Sequence, residues 1–88
     1  MASILGTYYF NESREVAAAD NVNFLSIICL SGSVEVLCEA KTIASWGANN
    51  AIPLASGQSI NVHDTINVQP LDGITIDASG GNVGVIIG

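Results

Sequence analysis

The adjacent pair His63-Asp64 holds the side chains best suited to acid–base chemistry, since a carboxylate can orient an imidazole as a general base. Successive side chains on a strand point to opposite faces, so these two do not form a hydrogen-bonded dyad by default. No serine has neighbours that mark it as an activated nucleophile. A single histidine in a turn is more often a polar loop residue. The sequence therefore predicts that the protein is not an enzyme.

Residues that ligate metals are few and scattered. One histidine and two separated cysteines, Cys29 and Cys38, do not supply the clustered donors of a structural zinc site. Asp72, Asp77 and Asn82 fall in neighbouring predicted turns, where Asp and Asn are favoured for backbone reasons. They lack the alternate spacing of a calcium-binding loop. The C-terminal glycines form no phosphate loop, because no helix follows them. We expect neither a metal nor another cofactor.

Length and composition indicate one small domain that needs partners. A chain of 88 residues buries only roughly 60% of the surface that its unfolded form exposes. Its residues are 49% hydrophobic and only 11% charged, so we expect another protein to cover part of the surface. The net charge of -6 disfavours nucleic acid and anionic membranes as partners.

The N-terminal residues do not resemble a signal peptide, because residues 1–5 have neither a basic region nor a long apolar core. The longest apolar run, residues 27–30, is too short to span a bilayer. We therefore expect synthesis in a cytoplasm, where thiols stay reduced.

We interpret residues 1–20 as an N-terminal arm or edge segment and residues 21–88 as a β-sandwich domain. The β-prone run at residues 7–10 is either an edge strand or an arm that lies on a neighbouring subunit. Asn11 or Ser13 could cap a helix before the three alanines, although the stretch is too short to be a stable helix alone. One helical turn is expected there, or a loop that leads into a short strand.

The clearest predicted hairpin spans residues 22–39, with its turn at Ser31-Gly32. Its second face mixes polar residues with Phe24, Ile28 and other large apolar side chains, as on a surface partly covered by another chain. Its first face is wholly apolar and is the predicted core. The residues of that face are Leu25, Ile27, Cys29, Val34, Val36 and Cys38.

This register also separates the two cysteines. Cys38 lies opposite Leu25, four residues from Cys29, which is about 13 Å along the strand and too far for a disulfide. The sequence therefore predicts two free, buried thiols.

The middle of the chain has weaker signals. Trp46 is predicted to anchor the core or its rim, or to contribute to a binding site. Pro53 keeps its segment at an edge or a bulge, and Ser56-Gly57 marks a turn. Apolar positions on both sides of His63 share one parity, which favours a three-residue loop at residues 63–65 or a continuous bent strand.

The C-terminal stretch predicts a second hairpin, with a primed turn at Gly80-Gly81 that needs positive φ at both glycines. The final strand, residues 83–87, is nearly all apolar. We expect it to be buried on both faces, and therefore central in its sheet or packed on another subunit. In total the turn spacing predicts an all-β fold, a small antiparallel β-sandwich or jelly-roll-like barrel of seven to nine short strands.

Two segments carry a family resemblance: Leu54-Ala55-Ser56-Gly57-Gln58, and residues 71–81, LDGITIDASGG. From about Phe24 to Gly88 the chain resembles small structural proteins of tailed-bacteriophage virions. These proteins are similar in their short strands, a central L-x-S-G-Q turn and a closing L-x-G-I-T-I-x-A-S-G-G segment before a final apolar strand. The resemblance implies a head decoration or cement protein, a head fibre or a tail component, usually a symmetric oligomer, with no catalytic residues.

We therefore expect a structural virion protein of the capsid decoration, cement or head-fibre type. Its expected partners are further copies of itself, with a trimer favoured, and capsid or tail subunits, but no nucleic acid and no membrane. It is expected in the virion after synthesis in the host cytoplasm. The predicted interface residues are Tyr8, Tyr9, Phe10, Phe24, Ile28, Leu30, Leu37, Trp46, Val83, Val85 and Ile87.

The alternative prediction is a carbohydrate- or receptor-binding β-sandwich module. Only Trp46, Tyr8 and Tyr9 are candidates for stacking on a sugar ring, and aromatic residues make up just 6% of the chain.

Overall fold

The structure is a computed structural model that describes residues 6–39, 43–63 and 70–88. Two short 3₁₀ turns, Ala18–Asp20 and Ala44–Trp46, lie between its strands. The all-β prediction is confirmed, although these residues form six antiparallel strands in one sheet rather than seven to nine separate strands. The strands are β1 (Gly6–Phe10), β2 (Ser13–Val16), β3 (Phe24–Cys38), β4 (Ile52–Ala55), β5 (Ser59–His63) and β6 (Ile74–Ile87).

The two long strands, β3 and β6, form the centre of the sheet. They pair antiparallel along most of their lengths, from Leu25 opposite Ile87 to Cys38 opposite Ile74. Strand β1 pairs with the C-terminal half of β6, and β2 pairs with its N-terminal half. Likewise β5 pairs with the N-terminal half of β3, and β4 with its C-terminal half. Each half of the long ribbon therefore has its own pair of flanking strands.

Both predicted two-residue hairpins are wrong. The chain does not reverse at Ser31-Gly32 or at Gly80-Gly81; β3 and β6 continue through these positions, with Gly32 opposite Gly81. Of these glycines only Gly32 has a positive φ, of 70°, so the primed turn at Gly80-Gly81 does not form. The glycines are needed for close approach instead, because a Cβ on Gly81 would collide with the Ser31 carbonyl oxygen.

Two register shifts flank these glycines, one between Cys29 and Ser31 and one between Ser33 and Glu35. The first adds a residue to β3 and the second adds one to β6, so the face alternation changes parity once in each strand. A two-residue hairpin changes parity in the same way. The predicted core face is therefore confirmed although the turn is wrong. Its buried residues are Leu25, Ile27, Cys29, Val34 and Val36.

Cys38 is the exception on the predicted core face. Both cysteines are free, as predicted, and Cys29 is buried, but Cys38 is exposed. Cys38 is the last residue of β3 and lies beyond Val36, the last β3 residue that pairs with β4. The prediction of two buried thiols is therefore wrong for Cys38.

The last part of β6 is central in the sheet, between β1 and β3, but it is not buried on both faces. Val83 and Val85 point into the core and are 0% and 4% exposed, whereas Ile86 points the other way and is 37% exposed. Side chains alternate between the two faces of a strand, and the described residues cover only one face of the sheet. The second face of this strand is therefore open.

The N-terminal segment belongs to the same sheet. Of the two alternatives for residues 7–10, the structure has the edge strand, β1. Residues 13–20 contain both a short strand, β2, and one 3₁₀ turn, so the predicted helix cap at Asn11 or Ser13 is wrong. Instead the Ala17 amide donates to the Asp20 carboxylate at 2.8 Å, and Asp72 accepts from the Ala18 amide at 3.0 Å. Of the loop predicted at residues 63–65, His63 ends β5 and residues 64 and 65 lie outside the described residues, as does the rest of the bent strand predicted as its alternative.

Candidate interaction surfaces

Large hydrophobic side chains, rather than chemically reactive groups, mark the candidate sites. In the described residues no polar or charged side chain is buried. Eight large hydrophobic residues are exposed there: Tyr8, Tyr9, Ile28, Leu30, Ile43, Trp46, Ile52 and Ile86. Solvent-facing groups of this kind indicate contact with another molecule more strongly than catalysis.

Four of these residues share the outer face of one half of the sheet, formed by β1, β5 and the adjoining halves of β3 and β6. The cross-strand register places Tyr9 beside Gly84, and Gly84 beside Ile28. Ile28 and Leu30 lean over the bare Gly84 backbone, where an added Cβ would lie 3.3 Å and 3.5 Å from them. We call this surface the apolar face; its residues are Tyr9, Phe24, Ile28, Leu30 and Ile86, with neutral Thr7, Ser26, Ser59 and Asn61 between them.

The apolar face carries no Asp, Glu, Lys or Arg among the described residues. His63 lies at its end, with its ring tilted 47° to that of Phe24 and the ring centres 6.4 Å apart. Outward-pointing positions alternate with buried positions along these strands, and in this half of the sheet the described outward positions hold no Asp, Glu, Lys or Arg.

The outer face of the other half of the sheet is acidic. Glu35 lies directly opposite Asp77, and Glu15 lies on the same side, on β2. The Ser79 hydroxyl and amide donate to Asp77 at 2.6 Å and 3.0 Å. These hydrogen bonds lower the pKa of the Asp77 carboxyl, so this charge persists to lower pH than usual. We call this surface the acidic face. It carries negative charge that the apolar face lacks.

A third surface lies beside the edge strand β4. Trp46, on the 3₁₀ turn, is 82% exposed, which corrects the prediction that it anchors the core. It borders a cleft of about 430 Å³ that is lined also by Ile43, Ile52, Asn49 and Asn50. Residues 43–52 contain no charged residue. We call Ile43, Trp46 and Ile52 the Trp46 cluster.

A smaller cleft, of about 270 Å³, lies at the opposite edge of the sheet, between β1 and β2. The Arg14 guanidinium lies 4.4 Å from the centre of the Phe10 ring there, in cation–π contact. Arg14 also forms an exposed ion pair with Glu12 at 3.0 Å. The floor of this cleft is made of core residues, and the exposed Tyr8 lines its wall.

The structure places the predicted interface residues in three environments. Exposed are Tyr8, Tyr9, Ile28, Leu30 and Trp46; half-buried are Phe24, Leu37 and Ile87; buried are Phe10, Val83 and Val85. The three buried residues belong to the hydrophobic core, so their side chains are not accessible to a partner in this fold.

Three exposed isoleucines were not among the predicted interface residues. Ile86 carries a sequence signal, since it is the outward position of an apolar strand that alternates with Val85. Ile43 and Ile52 carry none, because their exposure depends on how the Trp46 segment meets the edge of the sheet.

The residues considered for chemistry do not assemble into a site. Within residues 6–39, 43–63 and 70–88, no three His, Cys, Asp or Glu side chains lie close enough together to hold a metal ion. Asp72 is engaged with the Ala18 amide and Asp77 with Ser79, and Asn82 donates to the Ser31 hydroxyl at 2.7 Å. Of the three predicted turn residues, Asp77 and Asn82 lie within β6 instead, and the side chains of all three take part in hydrogen bonds of the fold.

Comparison with known proteins finds no matching family model, no similar curated protein and no similar solved structure. The described part of the chain has no helix of the length and hydrophobicity that crossing a membrane requires.

The reactivity of the two thiols tests whether Cys29 is buried and Cys38 is exposed. We expect iodoacetamide to modify one cysteine of the native protein, Cys38, and to reach Cys29 only after denaturation. Partial burial raises the pKa of the Cys38 thiol, so its alkylation should be slow at neutral pH and accelerate at higher pH than for a free thiol. Intact-mass measurement over time reads out both events. In Cys38→Ser the native protein should remain unmodified; two adducts on native protein would contradict the assignment.

Proposed function

We propose that this protein is a structural component of a virus particle, of the capsid decoration, cement or head-fibre type, and acts through protein contacts as a symmetric homo-oligomer. The observation that carries the proposal is the separation of an uncharged apolar face from an acidic face. A protein that coats a particle needs one surface that adheres and one that stays hydrated. The resemblance of residues 24–88 to phage structural proteins supports the same function.

We infer that the sheet is folded along the line of Gly32 and Gly81 into two packed layers. The same face of the sheet is buried on both sides of this line, and the described residues include no α-helix to cover it. Residues from both halves also meet: Leu25 and Ile76 line one edge cleft, and Val36 and Ile60 line the other. Packing of one half on the other accounts for both observations.

If each half of β3 and β6 is counted separately, the folded sheet has eight strands in two layers of four. The first layer has the order β1, C-terminal half of β6, N-terminal half of β3, β5, and the second has β2, N-terminal half of β6, C-terminal half of β3, β4. This is the strand arrangement of a jelly roll, an architecture used by viral capsid and lectin domains. It supports a role as a structural module.

Burial of exposed apolar side chains contributes to assembly. The exposed parts of Ile28 and Leu30 each represent roughly 1 kcal/mol that contact with a partner recovers. Association costs on the order of 4–15 kcal/mol in lost freedom, so one small patch is not enough. The contact must therefore bury several exposed apolar side chains at once; three copies is the predicted number.

Sedimentation of the purified protein tests the oligomer. We expect species larger than the 9.1 kDa monomer at micromolar concentration, and a shift to monomer in Ile28→Glu, which places a charge on the apolar face. The matched control is Ser13→Glu, which adds the same charge beside Asp77 on the acidic face and should leave assembly unchanged. A wild-type protein that stays monomeric at high concentration counts decisively against the proposal.

The virion assignment needs its own measurement. Peptide mass spectrometry of virus particles purified from a culture that carries this gene should detect the protein in fixed ratio to the main shell protein. Its presence only in the soluble fraction, with none in purified particles, overturns the assignment even if the oligomer forms.

Carbohydrate binding is the second candidate function, and the Trp46 environment favours it. A Trp ring that is 82% exposed beside two asparagines offers a flat apolar surface together with amide donors and acceptors. An immobilised glycan retained by the wild type and lost by Trp46→Ala would establish this function. No retention on a broad glycan array removes it.

A further inference from the structure

We propose that copies of this chain join head to tail, with the Trp46 cluster of one copy docked on the apolar face of the next, so that the contacts close a small ring. This inference rests on the proposed homo-oligomer and specifies which two surfaces form its contact. The apolar face of one copy is therefore occupied by the Trp46 cluster of a second copy.

Charge favours a second copy at these two surfaces. The chain carries a net charge of -6, so two copies repel wherever their carboxylates meet. Neither the described apolar face nor residues 43–52 contain Asp, Glu, Lys or Arg. A contact between these surfaces desolvates no charge and leaves Glu35 and Asp77 of every copy facing water.

The distribution of exposed hydrophobic residues favours the same pairing. Of the eight such residues in the described chain, seven lie on the apolar face or in the Trp46 cluster, and Tyr8 alone lies elsewhere. Trp46 is the most exposed of them and the only tryptophan in the chain. Tryptophan is the side chain most typical of interface anchors. One kind of contact between the two surfaces removes all seven from water.

Two-fold symmetry accounts for these surfaces less well than a head-to-tail contact. A two-fold contact that buries only one of the two surfaces leaves the other exposed, and one that buries both needs them to form one continuous patch. A contact between two different surfaces repeats around a ring. The apolar face is the outer side of one half of the sheet, and the Trp46 cluster lies beside β4, which pairs with the other half, so they are two separate surfaces. Such a contact forms a ring if the rotation between copies closes, and a filament if it does not.

The fluorescence of Trp46 reads out this contact directly, because no other tryptophan contributes. On dilution of the wild-type protein we expect the emission maximum to move to longer wavelength, in step with dissociation measured by sedimentation. Trp46→Ala should weaken self-association by on the order of thirtyfold or more. Circular dichroism should be unchanged, because this side chain is mostly solvent-exposed in the single chain.

Mixing two defective variants tests whether the Trp46 cluster of one copy binds the apolar face of another. Ile28→Glu keeps Trp46 but has a damaged face, whereas Trp46→Ala keeps the face and has no tryptophan. Each alone should be monomeric. Titration of Trp46→Ala into Ile28→Glu should shift the Trp46 emission to shorter wavelength and yield a heterodimer, because one intact contact is restored. The double variant, which has neither surface, is the control and should cause no shift.

Each failure has a distinct meaning. A wild-type oligomer whose Trp46 emission stays that of a solvent-exposed indole, or which Trp46→Ala leaves intact, overturns the head-to-tail contact while the proposed homo-oligomer stands. Monomeric single variants that do not complement each other also overturn it. A wild-type protein that never self-associates overturns both proposals. Leu30→Glu replaces Ile28→Glu if the latter loses its fold.

Discussion

Val85→Asp is expected to abolish the folded state at neutral pH. Val85 is 4% exposed and lies between Tyr8 on β1 and Ile27 on β3, in the core cluster. An ionised carboxylate at this position has no cation to pair with among the described core residues and loses its water. We expect a loss of more than about 4 kcal/mol, comparable with the whole stability of a small domain. Thermal and urea unfolding followed by circular dichroism measure it.

The adjacent residue supplies the matched control. Ile86 lies on the opposite face of the same strand and is 37% exposed. Ile86→Asp should therefore keep a cooperative unfolding transition while it weakens self-association through the apolar face. Val85→Ala should cost on the order of 2 kcal/mol, since it leaves a small cavity without a buried charge. A Val85→Asp protein that melts like the wild type would show that this strand is not core.

The second large effect is expected in the middle of the long strands, where Gly81 of β6 lies opposite Gly32 of β3. In Gly81→Ala the new Cβ meets the Ser31 carbonyl oxygen and comes within 2.8 Å of the Ser33 amide nitrogen. Both are backbone atoms, which cannot rotate away as a side chain can, so β3 and β6 must move apart at this position. We expect a loss of about 3 kcal/mol or more, measured by urea unfolding.

Gly84→Ala is the comparison, three residues further along β6. Its Cβ approaches only side-chain carbons, 3.3 Å from Ile28 and 3.5 Å from Leu30, which lie on the open face and can shift outward. We expect a cost of roughly 1 kcal/mol or less. If the two variants are equally destabilised, close backbone approach is not the reason for glycine at Gly81.

The exposed surfaces were only partly predictable from the sequence. Ile28 and Leu30 were recognisable as members of a mixed, outward face because alternation along one strand is a local property. The acidic character of the other half was not, because Glu35 and Asp77 come together only when β3 pairs with β6. For Trp46 no local pattern separates a core anchor from an exposed side chain, since its burial depends on which surface the loop meets.

The all-β class and the alternation of faces within each short run of residues follow from the sequence alone, because a side-chain period of two is a property of one strand, whatever strand lies alongside. Leu25 and Ile27 are buried as predicted for that reason, whereas Val36 keeps its predicted face because the bulge in β3 changes the parity as the predicted turn would. The two free thiols were predicted from a hairpin register that does not form; Cys29 and Cys38 lie on the same strand, β3, too far apart for a disulfide.

Which strands pair depends on contacts between distant parts of the chain and became known from the folded structure. Ser31-Gly32 and Gly80-Gly81 have the composition of two hairpin turns, and locally that interpretation is sound. In the folded chain the Ser31-Gly32 and Gly80-Gly81 segments lie opposite each other and allow the backbones of two long strands to approach closely. A glycine allows a turn and a close approach equally well, and the choice depends on a strand that is distant in the sequence.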